Sequence, residues 1–283
     1  DPVVHPALGI ALGMRVQDVE QCIRQNTDAK AIVVNNPTYY GICSDIQEIV
    51  RLAHANQMLV LADEAHGTHF YFSERLPLGA MQCGADMSAI SMHKTGGSLT
   101  QSSVLLIADT ISPEHVNSII NLTRTSSASY LLMASLDIAR CVLATRGKAL
   151  LDDLIDMACA ARERINQIRG FYAFGKEIID GDAIADFDAT KLSIHTAGTG
   201  LAGIEVYTLL ANEHRIQIEY GDMRNILALC TLGDAPKNLN ALVTALRDIS
   251  NSHQNAHLSC PSCEYITPTL KLSPRKAFYA KKQ

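Results

Sequence analysis

Short apolar runs alternate with amphipathic helical patterns through the first part of this chain. The apolar runs cover residues 31–34, 59–62, 87–91 and 103–107, and a helical pattern with a capping box of Ser44 and Gln47 lies between the first two. This alternation predicts an α/β fold with a mostly parallel sheet flanked by helices. Open sheets of that kind bind ligands beyond the carboxyl ends of their strands. Polar residues that follow these runs are therefore the first candidates for function.

Two of the predicted strand ends carry a carboxylate and a lysine. Asp63 follows the run 59–62. The run 87–91 ends at Ser91 and is followed closely by His93 and Lys94. A lysine can form an imine with the aldehyde of pyridoxal phosphate (PLP), and an aspartate can hold the pyridine nitrogen protonated. Considered alone, Asp63 would be interpreted as a strand-end residue that caps the next loop, and Lys94 as an ordinary exposed lysine. Their occurrence together at one predicted sheet edge favours a PLP site.

Two other interpretations of these residues fail, the first because a required motif is missing and the second because of spacing. Residues 63–66 spell the DEAH box of helicases, which requires a phosphate loop ending in Gly-Lys-Ser/Thr. Neither Gly-Lys pair of the chain is followed by Ser or Thr: Gly147-Lys148 precedes alanine inside a helical pattern, and Gly175-Lys176 precedes glutamate. Ser91 and Lys94 match Ser-x-x-Lys, and residues 94–96 match Lys-Thr-Gly, but in penicillin-binding proteins these are separate elements. Here they share Lys94, so neither match predicts that chemistry.

Metal binding is a weaker interpretation of the His and Cys residues. Glu64, His66 and His69 lack the His-Glu-x-x-His spacing of a helical zinc site. Cys260 and Cys263 have the spacing of half a zinc site without a second Cys-x-x-Cys. We therefore predict no metal.

The pattern changes in the second half of the chain. Two long helices are expected at 130–145 and 148–168, divided by Arg146-Gly147. A strand at 191–195, a helix at 202–214, a strand at 226–232 and a helix at 239–249 follow, which predicts a smaller α+β domain. The predicted division is a cofactor-binding portion at 1–145, the smaller domain at 146–252 and an irregular tail at 253–283.

Composition narrows the class of protein. The 283 residues are 47% hydrophobic with a formal net charge of −5, and no basic stripe indicates nucleic-acid binding. No apolar run approaches the ~20 residues of a membrane span. Most of the eight cysteines lie in apolar stretches, as free thiols do, which favours a reducing, cytoplasmic location.

The chain resembles a known family of PLP enzymes. It is similar to the Orn/Lys/Arg decarboxylase major domain, which belongs to the fold type I, aminotransferase-like enzymes. The similarity is specific in order and spacing from about residue 30 to 140. The segments that carry it are 36–41 (NPTYYG), 63–70 (DEAHGTHF), 84–86 (GAD), 91–95 (SMHKT), 99–103 (LTQSS) and 125–130 (TSSASY).

The resemblance implies a role for several residues around the cofactor ring. Lys94 would be the Schiff-base lysine, and Asp63 would pair with the pyridinium nitrogen. Ala65 would lie under one face of the ring, where its methyl group permits close approach. His66 would lie on the side of the phenolic oxygen.

The resemblance also implies how the phosphate is held. Ser91 and His93 would contact the phosphate of the cofactor bound to the same chain. Thr125 matches a segment that reaches the phosphate bound by the partner subunit. A homodimer or higher oligomer is therefore expected.

The implied activity is decarboxylation of a basic amino acid (arginine, lysine or ornithine) to its amine and CO₂, as in polyamine metabolism. An aminotransferase on the same fold, and a catalytically silent domain that only associates with a partner, remain alternatives. Family members carry a phosphate loop and a ring-stacking aromatic or histidine before the point that matches Asp1. The chain is therefore expected to be a fragment, and its substrate stays open.

Overall fold

The structure is a computed structural model that describes residues 3–253, 269 and 271–280. Its strands are β1 (Ala31–Asn35), β2 (Ile42–Cys43), β3 (Leu59–Glu64), β4 (Met87–Ile90), β5 (Val104–Ile107), β6 (Tyr172–Phe174), β7 (Asp186–Phe187), β8 (Lys191–His195), β9 (Tyr220–Gly221) and β10 (Asn225–Leu229). Its α-helices are α1 (Val16–Gln25), α2 (Ile46–Ala55), α3 (Met92–Thr95), α4 (Pro113–Thr123), α5 (Tyr130–Ile165), α6 (Gly203–His214), α7 (Pro236–Ser252) and α8 (Pro274–Tyr279).

The first sheet is built from the apolar runs that the sequence predicts as strands. Its order is β1-β3-β4-β5, with β1, β3 and β4 parallel and β5 antiparallel to β4. Val34, Val60 and Ala62 from this sheet pack with Ile49 and Ala53 of α2 in one buried cluster. The predicted α/β class, with a mostly parallel sheet flanked by helices, is confirmed.

The start of α2 differs from the prediction by one residue. Asp45, rather than Ser44, is the N-cap, and its Oδ1 accepts a hydrogen bond of 3.0 Å from the Glu48 amide. The Ser44 hydroxyl instead accepts from the Met14 amide at 2.8 Å, which ties the amino-terminal segment to this corner. Gln47 is exposed. The predicted capping box is wrong because a tertiary contact engages the serine.

The two long helices predicted on either side of Arg146-Gly147 form one helix, α5, of 36 residues. Gly147 is buried in its middle, and a Cβ at that position would lie 3.2 Å from Cβ of Phe72. The glycine therefore serves close packing of the helix rather than a helix end. The predicted domain boundary at 145/146 falls inside α5, and the division into domains stays a prediction.

A second sheet packs against α5. Its order is β6-β8-β10-β9, and all neighbouring strands are antiparallel. Buried residues of α5, α6 and α7 pack against β8 and β10 in the largest core cluster. A short antiparallel pairing of β2 with β7 brings the segment before β2 close to the segment that follows β7. This α+β arrangement agrees with the predicted strands and helices of the second half.

The carboxyl-terminal region is described only in part. Helix α8 lies within the tail that was predicted as irregular. Cys260 and Cys263 lie outside the described residues. None of the described helices is both long and apolar enough to cross a membrane.

Replacement of the N-cap tests the corrected start of α2. Asp45→Ala should lower the free energy of unfolding by about 1 kcal/mol, because the amide of Glu48 loses its acceptor. Urea unfolding followed by circular dichroism measures the change. Gln47→Ala is the matched control and should shift stability by less than about 0.5 kcal/mol, as exposed residues do. Equal losses in both variants would contradict this cap.

Candidate active site

The carboxyl ends of the parallel strands meet at one edge of the first sheet. Asn35 of β1 pairs with Asp63 of β3, and Asp63 pairs in turn with Ala89 of β4. The connections that leave these strands carry His66 after β3 and Lys94 after β4. The structure therefore brings the predicted carboxylate, imidazole and amine to the same edge.

Asp63 faces away from the core because the side chains of β3 alternate between two environments. Val60, Ala62 and Glu64 are buried, whereas Asp63 is exposed. Its Oδ1 accepts a hydrogen bond of 3.1 Å from the Ala65 amide. Among the described residues, no hydrogen bond reaches its other oxygen, Oδ2. One carboxylate oxygen is thus available to a ligand.

Glu64 has the opposite environment from its neighbour. It is 0% exposed, and its carboxylate accepts from Tyr71 Oη at 2.5 Å, Ser88 Oγ at 2.5 Å and the Ala80 amide at 2.8 Å. Burial raises its pKa, although these hydrogen bonds act in the other direction. The side chain of Glu64 is therefore held in the protein interior. Across the described residues, no group of three or more His, Cys, Asp and Glu is arranged to hold a metal ion.

Lys94 lies on a single helical turn rather than in a loop. β4 ends at Ile90, Ser91 precedes α3, and the Lys94 amide donates to the Ser91 carbonyl at 3.1 Å. The lysine side chain is exposed, and its Nζ lies 3.3 Å from Nε2 of His66. The turn thus aims the amine along the edge of the sheet toward the imidazole.

His66 is the buried centre of this group. It is 9% exposed, and its ring forms a T-shaped contact with the ring of Tyr39 at a centroid distance of 4.9 Å. Burial, together with the charges of Lys191 and Lys94, lowers its pKa to about 3. The imidazole is therefore uncharged at neutral pH.

The residues expected at the phosphate lie on either side of Lys94, with one exception. Nδ1 of His93 donates to the Ser102 carbonyl at 2.8 Å, which leaves Nε2 available for another partner. Ser91 is half-buried next to it. Thr125 lies in the exposed connection between α4 and α5, where its hydroxyl accepts from the Ser127 amide at 3.1 Å. In the part of the chain that the structure describes, Thr125 makes no hydrogen bond to the other site residues.

The sequence analysis missed a buried charged group behind His66. Lys191, at the start of β8, is 1% exposed, and its Nζ lies 3.2 Å from Nδ1 of His66. Asp188 is 0% exposed and lies 2.9 Å from Nε2 of His69. The available signal was an Asp-x-x-Lys segment leading into an apolar strand. A solvated strand end gives the same pattern, so burial could not be inferred from it.

Gly41 explains how Lys191 reaches the site. The glycine has a φ of +92°, and a Cβ there would lie 3.2 Å from Cδ of Lys191. Both the backbone conformation and the close approach require glycine. The main chain before β2 can therefore pack directly on the lysine stem.

Together these residues form a set of hydrogen-bond donors and acceptors that fits PLP. One sheet edge carries an exposed amine, a half-buried hydroxyl, and a carboxylate oxygen and an imidazole nitrogen that have no hydrogen-bond partner among the described residues. An aldehyde, a ring nitrogen and a phosphate are the groups that such donors and acceptors complement. Lys94, Asp63, Ser91 and His93 are thus suited to hold this cofactor.

Known proteins are similar in sequence to this chain over nearly its whole length. The model of the family described as Orn/Lys/Arg decarboxylase, major domain, matches residues 4–238. An arginine decarboxylase of Bacillus cereus is 42% identical over 287 residues, which cover 99% of this chain and 62% of that protein. An arginine decarboxylase of Halalkalibacterium halodurans is 44% identical, with 99% of this chain and 58% of that protein covered. The chain thus spans about 60% of the length of these relatives.

Solved structures agree on the fold. A lysine decarboxylase of Francisella novicida superposes with a TM-score of 0.72 at 20% identity, over 88% of this chain and 41% of that one. A pyridoxamine-pyruvate aminotransferase of Mesorhizobium loti superposes with a TM-score of 0.66 at 14% identity, over 85% of this chain and 64% of that one. With a family match that includes both sheets and the edge that carries Asp63 and Lys94, the chain belongs to the Orn/Lys/Arg decarboxylase family.

Proposed function

We propose that the protein decarboxylates a basic amino acid in a PLP-dependent reaction, and that arginine is the first substrate to test. The observation that carries the proposal is the meeting of Lys94, His66 and Asp63 at one sheet edge. The relatives named arginine decarboxylase support the choice of substrate. Lysine and ornithine, which the family name also includes, are the alternatives.

Two residues have the most direct roles in this proposal. When bound, PLP supplies an electron-accepting ring that stabilises negative charge at the substrate Cα. The Lys94 amine attaches the cofactor covalently. Asp63 offers its free oxygen to the ring nitrogen and keeps the proton there, because a close carboxylate raises the basicity of its partner. Its other oxygen is held by the Ala65 amide, which fixes the orientation of the carboxylate.

The remaining site residues orient the cofactor and its phosphate. His66, uncharged and buried, donates or accepts a hydrogen bond beside Lys94 without adding a charge. Ala65 presents only a methyl group, so a flat ring can approach it closely. Ser91 and Nε2 of His93 bind phosphate oxygens, and the bond from His93 to the Ser102 carbonyl holds that ring in place.

The proposal extends to assembly and location. Thr125 is exposed in this chain, as a residue that serves a partner subunit would be, and we propose a homodimer or higher oligomer. Cys22, Cys43, Cys83, Cys141, Cys159 and Cys230 are free thiols. Free thiols are typical of a reducing compartment, which supports a cytoplasmic location.

A substrate comparison tests the proposed reaction. The protein expressed at the full length of its gene, supplied with PLP, should release CO₂ and the matching amine from arginine, and more slowly from lysine or ornithine. Mass spectrometry identifies the amine, and trapped CO₂ gives the rate. A 2-oxo acid product would identify an aminotransferase instead. No product from any of the three amino acids would favour a catalytically silent domain.

Loss of the Lys94 amine should prevent covalent attachment of the cofactor. In Lys94→Ala, borohydride reduction followed by peptide mapping should find no pyridoxyl group, whereas the unaltered protein should carry it on Lys94. The fold should persist, because an exposed lysine contributes little to the core. Lys148→Met, at an exposed lysine of α5, is the matched control and should label normally. A pyridoxyl group on another lysine would contradict the assignment.

Neutralising Asp63 should separate cofactor binding from turnover. Asp63→Asn at full gene length should still bind PLP but lower kcat at least tenfold, because an amide does not hold the ring nitrogen protonated. Each tenfold loss corresponds to about 1.4 kcal/mol. The amide oxygen can still accept from the Ala65 amide, so a residue that only caps this turn would tolerate the change. A variant that retains more than half of the normal kcat would remove Asp63 from the mechanism.

A further inference from the structure

The residues that follow Lys94 form a turn whose shape the proposed function does not explain. Residues 96–102, the 96–102 turn, lie between α3 and β5. Two of them have a left-handed backbone, Gly97 with a φ of +88° and Gln101 with a φ of +57°. Glycine adopts this conformation freely, whereas a residue with a Cβ is disfavoured in it. The turn therefore needs contacts that hold Gln101 in place.

The carboxyl end of the 96–102 turn returns to His93. The carbonyl oxygen of Ser102 accepts from the main-chain amide of His93 at 3.3 Å and from its ring Nδ1 at 2.8 Å. Because a carbonyl oxygen can only accept, the ring must carry a proton on Nδ1. The position of this one carbonyl therefore sets the orientation of the imidazole and the nitrogen that bears its proton.

The middle of the 96–102 turn is tied to helix α5. The Leu99 amide donates to Oγ of Ser135 at 2.8 Å, and the two residues are 36 positions apart in the sequence. The side chain of Leu99 is 57% exposed, so the contact is a hydrogen bond of the main chain rather than apolar packing. The hydroxyl of Ser135 is therefore an anchor for the backbone of the turn.

Ser135 has a fixed position because the same face of α5 is packed in the core. Ala139 and Leu143 follow Ser135 at intervals of four residues, so the three side chains lie on one face of the helix. Ala139 and Leu143 are buried in one cluster with Ile90 of β4 and Met92 of α3. This packing holds α5 against the strand and the helical turn that lead into the 96–102 turn.

We propose that Ser135 is a positioning residue for the phosphate of the cofactor. It holds the 96–102 turn so that the Ser102 carbonyl fixes the imidazole of His93, which leaves Nε2 to bind the phosphate. Without the Ser135 hydroxyl, the Leu99 amide loses its acceptor, and the left-handed backbone of the turn is free to relax. The Ser102 carbonyl then moves away from Nδ1, and the ring no longer keeps one orientation. The inference rests on the proposed function only in naming His93 as a ligand of the phosphate.

A selective loss of phosphate binding is expected when the Ser135 hydroxyl is removed. With the protein at full gene length, equilibrium dialysis measures the affinity for PLP and for pyridoxal, which lacks the phosphate. Ser135→Ala should lower the ratio of these affinities about tenfold, the effect of one weakened hydrogen bond to a charged group. Ser135→Thr keeps the hydroxyl and should restore the ratio. Thr145→Ala removes an exposed hydroxyl elsewhere on α5 and should leave the ratio unchanged. An unchanged ratio in Ser135→Ala would overturn the proposal.

A double-mutant cycle tests whether the effect of Ser135 passes through His93. In a His93→Ala background the Ser102 carbonyl has no ring to hold, so adding Ser135→Ala should leave the ratio of PLP to pyridoxal affinity as it is. Independent residues would instead give losses that multiply. A further tenfold loss in the double variant would show that Ser135 acts by another route and would refute the proposal.

Direct observation of the ring proton tests the same link without any cofactor. ¹⁵N NMR of histidine-labelled protein without PLP is recorded at about pH 8.5, where an ordinary imidazole is uncharged. The His93 signals, assigned by their loss in His93→Ala, should show the proton on Nδ1, and Ser135→Ala should give a mixture of both tautomers. A proton on Nε2 in the unaltered protein, or the same spectrum in Ser135→Ala, would contradict the proposal. A failed decarboxylation assay would affect neither this result nor the measured affinities.

Discussion

The register of β3 between β1 and β4 is the constraint on which the site depends. Side chains of a strand alternate between two faces, so a shift of one residue would exchange every buried and exposed position. Glu64 opposes such a shift, because its buried carboxylate accepts three hydrogen bonds from Tyr71, Ser88 and Ala80. A buried carboxylate without these partners would cost several kcal/mol. The anchoring of Glu64 in the core thus keeps its neighbour Asp63 at the ligand-binding edge.

Residues from the second half of the chain complete the site behind His66. Arg162 of α5 is 9% exposed and donates to the carbonyls of Phe174, Ala189 and Lys191 at 3.1, 3.0 and 2.9 Å. These bonds hold the segment before β8 against the helix. Lys191 is thereby carried under His66, while the pairing of β2 with β7 brings Gly41 next to its stem. The proposed catalytic edge and its buried support therefore come from different parts of the sequence.

The sequence patterns predicted most of the elements and misread those that tertiary packing decides. The strand at 191–195 is found as predicted, and α6 begins one residue later than expected. Arg146-Gly147 predicts a helix end because glycine lowers helix propensity. In the structure Gly147 lies inside α5, where a Cβ would be only 3.2 Å from Cβ of Phe72. The pattern around Ser44 predicts a capping box, yet the Ser44 hydroxyl accepts a hydrogen bond from the Met14 amide. In both cases a contact distant in sequence outweighs a local preference.

By itself, the sequence determined the α/β class and the positions of Asp63 and Lys94 at strand ends, because strand period and apolar runs are local properties. The family resemblance added the expected neighbours His66, Ser91 and His93. Only the tertiary structure decided that His66 lies between two lysine amines, since Lys191 is 125 residues away along the chain. The strand pattern of the second half showed where Lys191 begins, but not whether it meets solvent or core. Burial and hydrogen-bond geometry set the charge of such a group, and these arise only when distant segments pack together.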